Sequence, residues 1–76
     1  MEKILKLIYG YVVMMVGGEQ LERFLNLCRN RNIYMEKIHY LDTDRFTAQI
    51  QAKDFLRLRP VRSKTGVHIQ IMQKRG

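Results

Sequence analysis

Asp42-Thr43-Asp44-Arg45-Phe46-Thr47-Ala48-Gln49-Ile50-Gln51-Ala52 carries the clearest structural pattern of the chain. From Arg45 the side chains alternate without a break: Phe46, Ala48, Ile50 and Ala52 are apolar, while Arg45, Thr47, Gln49 and Gln51 are polar. A period of two marks a strand with one face in a core and the other in water. Asp42-Thr43-Asp44 is turn chemistry, because short acidic side chains bond to backbone amides close by. Just before the turn, Tyr34–Leu41 reads as a second strand, with Ile38 and Tyr40 on one face and Lys37 and His39 on the other. Two strands joined by a tight acidic turn form a hairpin.

Upstream of the hairpin, Tyr11–Val16 is β-branched and aromatic and apolar on both faces, as a central strand is. Gly17-Gly18 ends it. The next segment is helical: Leu21, Phe24, Leu25 and Cys28 recur at the spacing of one apolar stripe. Glu19 and Glu22 fall in its first turn and Arg29 and Arg31 in its last, matching the helix dipole. Asn30 or Asn32 supplies the left-handed residue that closes it. Downstream, Asp54–Lys64 reads as a second helix through Phe55, Leu58 and Val61, with Pro60 expected to kink or split it. Gly66 is its stop. Val67, Ile69 and Ile71 alternate with His68, Gln70 and Met72 in a last strand, and Gln73–Gly76 reads as a charged tail.

The order is β-α-β-β-α-β. Right-handed crossovers around a central hairpin give an α+β, ferredoxin-like sandwich, a four-stranded antiparallel sheet with both helices on one face. Residues 1–9 form an amphipathic lead, with Ile4, Leu5, Leu7 and Ile8 among Glu2, Lys3 and Lys6. Residues 10–76 read as a single domain.

At 76 residues, a chain buries only about 60% of its unfolded surface, so a deep catalytic cleft beside the core is not expected. No run of about 20 apolar residues occurs that would cross a bilayer. The apolar stretch from Ile4 to Val16 is interrupted by Lys6 and Gly10 and lacks a small-residue cleavage site, so no secretory signal is read. The single cysteine, Cys28, permits no internal disulfide and fits a reducing compartment. Net charge is +7, and it is unevenly placed. Residues 1–52 carry seven basic and six acidic side chains; residues 53–76 carry seven basic ones against Asp54 alone. Lys53, Arg57, Arg59, Arg62, Lys64, Lys74 and Arg75 are therefore the candidate interaction surface. Such a cluster suits a polyanion or an anionic lipid surface, and equally a solvated, solubilising face.

Chemistry finds little support. His39 and His68 fall among outward-facing strand positions, and Cys28 lies on the apolar stripe of the first helix, so these groups do not converge on a metal. Gly17-Gly18 precedes a helix without the rest of a phosphate-binding pattern. The reading is therefore no enzyme, no cofactor and no metal. RNA binding on this fold uses aromatic side chains on the central strands. Here the outward face of the third strand offers only Thr47, Gln49 and Gln51, and the first strand offers Tyr11 for stacking with Val13 and Met15 beside it. The basic residues gather around the second helix instead, which disfavours this mode.

The runs Gly10-Tyr11-Val12-Val13, Glu22-Arg23-Phe24-Leu25-Asn26-Leu27-Cys28 and Ile33-Tyr34 resemble the N-terminal region of the YqfD-type sporulation proteins. Leu58-Arg59-Pro60-Val61-Arg62-Ser63-Lys64-Thr65-Gly66 is similar to that family's second basic helix, and the likeness covers about residues 9–75. Asn32 stands where the family usually has glycine, and Met35 where an aromatic is common. The resemblance implies a piece of a longer bacterial membrane protein made in the mother cell of an endospore former, and it supplies no catalytic residues. The expectation is thus a non-enzymatic interaction domain on the cytoplasmic face of the membrane. Its basic surface would meet a protein partner of a sporulation membrane complex or anionic lipid. The alternatives are a nucleic-acid-binding module using the basic second helix and a homo-oligomerising assembly module.

Overall fold

The computed structural model describes residues 10–75; the amphipathic lead expected over 1–9 and Gly76 lie outside the described residues. The hairpin forms as its alternation requires. β2 (Met35–Asp42) and β3 (Arg45–Gln51) pair antiparallel, and β3 pairs in turn with β1 (Tyr11–Gly17). β4 (His68–Arg75) lies on the far side of β1, giving the order β2-β3-β1-β4 in one antiparallel sheet. α1 (Leu21–Asn30) connects β1 to β2, while α2 (Ala52–Phe55) and α3 (Leu58–Thr65) connect β3 to β4. This is the ferredoxin-like α+β sandwich, with three helices among the described residues where two are read from the sequence.

The register explains the core. Val12 faces Ile50, Met14 faces Ala48 and Val16 faces Phe46, and all six are buried. Leu21, Phe24 and Cys28 of α1 and Leu58 and Val61 of α3 cover them, with Ile33 and Val67 closing the ends. Phe24 and Phe46 meet with ring centroids 6.4 Å apart. Fully burying a side chain of this size stabilises by about 1.5–3 kcal/mol. Tyr11, Val13, Met15, Thr47 and Gln49 line the other face and are half-buried, and no helix of the described residues lies over them.

The turn is held by its own acids. Asp42 Oδ1 accepts from the Asp44 amide at 2.9 Å, and Asp42 Oδ2 binds Arg45 at 2.8 Å. Those bonds, the Arg45 side chain first, hold the Asp42 carboxyl below its ordinary range. Gly18 sits at φ 148 and donates to the Asp44 carbonyl at 2.9 Å. A Cβ on Gly18 would come within 3.3 Å of the Val67 backbone, in a conformation that side chains rarely adopt. Asn32 takes the left-handed conformation (φ 57) after α1, which asparagine tolerates better than most residues. Gly66 does the same after α3 (φ 69).

Four sequence expectations need correction. The second helix does break, but not at Pro60. That residue lies in the first turn of α3, where its missing N–H costs no helical bond. Its ring would crowd the carbonyl four residues back, and that carbonyl belongs to Leu56, where the chain leaves α2. Second, Gln73–Arg75 are strand rather than tail: they pair with Val13, Val12 and Tyr11 after a register shift at Met72. Third, α1 is a little shorter than its charges suggest, so Glu19 and Arg31 flank it instead of lying within it. Fourth, β2 does not alternate strictly. Lys37 has φ 53, and Lys37 and Ile38 together oppose Ala48, so Glu36 and His39 share the open face. Ile38 and Tyr40 stay exposed because β2 is an edge strand, although Tyr40 touches Phe46 with centroids 5.5 Å apart.

Candidate functional site

The basic residues of 53–76 do not form one surface. On α3, Leu58, Val61 and Thr65 point inward, and at about 100° per residue this places Arg59 and Arg62 on one flank and Arg57 and Lys64 on the other. α1 packs along the second of these flanks and β4 lies beside the first. Lys53 is exposed on α2. Lys74 pairs in register with Val12, so it continues the helix-side face of β4 after Ile69 and Ile71. The Arg75 side chain lies outside what the structure describes.

Arg57 is a structural tie rather than a free cation. One guanidinium nitrogen sits 3.4 Å from Asp54 Oδ1, and another donates to the Arg31 carbonyl at the exposed end of α1. Asp54 is only 9% exposed, which could not have been read from composition, where it counts as a lone acid among cations. The signal was its i, i+3 spacing to Arg57. Arg57→Gln should therefore leave a buried carboxylate unpaired and cost about 1–3 kcal/mol. Arg59→Gln and Arg62→Gln should each shift stability by under about 0.5 kcal/mol. Urea melts of the three single variants check this separation, and equal midpoints for all three would refute the tie.

Lys53 and Arg57 border a hollow of about 430 Å³ at one end of the sheet, with Tyr11, Asn32 and Tyr34. Glu36 and Asp54 also line it, so its charge is mixed. The β4 flank is different. A groove of about 450 Å³ runs between α3 and β4, lined by Leu56, Leu58, Arg59, Arg62, Ile69 and Ile71. Leu56 is 64% exposed and Ile71 41%. Leu56 was passed over in the sequence because it lies off the Phe55, Leu58, Val61 stripe. Among the described residues, neither Arg59 nor Arg62 is paired with a carboxylate.

The groups with catalytic potential stand apart. Cys28 is buried, and burial pushes its thiol up from 9.0 to about 11, with Arg31 pulling it slightly back. His39 and His68 are exposed on the open face, opposite Thr47 and Gly17. Among the described residues, no three His, Cys, Asp or Glu side chains gather as a metal site requires. The thiol makes a prediction of its own. The native chain keeps this proton to higher pH than the unfolded chain, so its stabilisation is complete below about pH 9 and is lost as the pH rises towards 11. The loss amounts to roughly 2–3 kcal/mol. Melts across that range should show a decline in the parent that is smaller by this amount in Cys28→Ala; parallel declines would contradict it.

Fold and site together define a small ferredoxin-like α+β domain with a basic, partly apolar groove along one sheet edge. The family described as "Putative stage IV sporulation protein YqfD" matches residues 6–76, and the chain belongs to that family. This is a family of sporulation proteins and not a known enzyme family. No curated protein and no solved structure matches the chain. No helix among the described residues is long and apolar enough to cross a membrane.

Proposed function

We propose that this chain is a non-enzymatic interaction domain on the cytoplasmic face of a sporulation membrane protein, presenting basic side chains to a protein partner or an anionic membrane. The observation that carries the reading is the pair Arg59 and Arg62, exposed and, among the described residues, unpaired with carboxylate, beside the exposed Leu56 and Ile71. A surface that serves only solubility gains nothing from apolar side chains set between its charges. Lysines and arginines near an anionic leaflet each contribute about 1 kcal/mol of attraction, and Lys74 on the helix-side face of β4 adds to the set. The absence of catalysis is part of the proposal, supported by a buried, protonated thiol and by histidines on a face remote from it.

Vesicle flotation at low salt tests the lipid arm. Anionic vesicles should recruit the chain, neutral ones should not, and salt should release it. Equal recruitment by both kinds of vesicle removes the membrane from the reading.

A further inference from the structure

We propose that the groove between α3 and the edge of β4 over His68–Ile71, which no described strand covers, takes an extended, acidic and apolar segment of a partner protein, which joins the sheet as a fifth strand beside β4. This rests on the interaction-domain reading and narrows it to a protein ligand. The two sheet edges are unlike. β2 is broken by the Lys37–Ile38 bulge and again around Leu41, which spoils it as a template. β4 runs without a register break from His68 to Ile71 before the shift at Met72. An edge strand leaves alternate N–H and C=O groups unpaired, and a peptide strand satisfies them directly.

Side chains decide what kind of strand fits. Residues of the added strand that turn to the helix side would lie over Leu56, Ile69 and Ile71, so they are apolar. Other residues of that same face, two positions along, meet Arg59 and Arg62 and, further along the strand, Lys74, so the segment carries carboxylates there. A second copy of this chain is the wrong occupant. Pairing β4 with β4 would bring two sets of these same cations together in a protein of net charge +7. The sequence of the lead carries Lys3 and Lys6 against Glu2, the opposite balance to the one this flank calls for.

The test uses the whole chain and two fluorescein-labelled octapeptides with threonine at every second position, the positions between carrying valine and glutamate in turn in one peptide and valine and lysine in turn in the other. Anisotropy should show the glutamate peptide bound at least about tenfold more tightly, with an advantage that shrinks as salt rises. Hydrogen exchange should slow at the outward amides of His68–Ile71 when that peptide is present. Arg59→Gln with Arg62→Gln should reduce the preference to under about threefold without lowering the melting temperature. Equal affinities, slowed exchange at β2 instead, or β4 amides already protected in the chain alone would each overturn the proposal. If neither peptide binds while anionic vesicles float the chain, the strand-addition site falls and the interaction-domain reading stands.

Discussion

Replacing Phe46 with alanine is expected to cost about 3–5 kcal/mol and to lower the melting temperature by more than about 10 °C. Phe46 is fully buried on β3, opposite Val16, and its ring meets Phe24 of α1 on one side and Tyr40 of β2 on the other. It therefore joins a central strand, a helix and an edge strand through one side chain. Truncation removes the transfer energy of the ring and leaves a cavity that a sheet pinned on both sides cannot close. At roughly 0.05–0.15 kcal/mol per residue, a chain of this length has a total stability of about 4–11 kcal/mol, so the loss takes from about a quarter of it to all of it. Circular dichroism melts check it. A Phe46→Ala variant that melts within a few degrees of the parent would mean that β3 does not carry this core.

Leu58→Ala is the second large effect, expected at about 2–5 kcal/mol. Leu58 is 2% exposed at the start of α3 and closes the core beside Val61. The informative comparison is with the arginines on the same helix. Arg59→Gln and Arg62→Gln remove charge without opening a cavity, and their double variant should melt close to the parent. From the sequence, Arg57 belongs with them as an exposed cation, and a triple glutamine variant is expected to fold normally. Its bonds to Asp54 and to the Arg31 carbonyl change that expectation: the triple variant should lose roughly what Arg57→Gln alone loses. Were the double variant to unfold while Leu58→Ala melted like the parent, the wrong face of α3 would have been placed inward.

Much of the fold is legible in local pattern. The alternation of Phe46, Ala48 and Ile50, the stripe of Leu21, Phe24 and Cys28, and the turn at Asp42-Thr43-Asp44 each obey a periodicity that neighbouring residues set by themselves. The left-handed exits at Asn32 and Gly66 follow from residue types that accept positive φ. The errors fall where a partner distant in sequence decides. Gln73–Arg75 have no strand pattern of their own and become strand because the start of β1 offers them a ladder. Glu36 changes face because Ala48 accommodates two residues of β2 opposite it.

The same division runs through the candidate site. Composition alone determined that residues 53–76 are strongly basic, and helical spacing alone determined that Leu58 and Val61 turn inward. The tertiary structure decided which cations remain available. Docking α1 against one flank of α3 draws Arg57 into bonds with Asp54 and the end of α1, and placing β4 along the other flank leaves Arg59 and Arg62 beside an apolar groove. A helix repeats by its own geometry, so its sequence shows which side faces the core. What lies against each of its flanks is fixed only when segments far apart in the chain pack together, and no local periodicity records that.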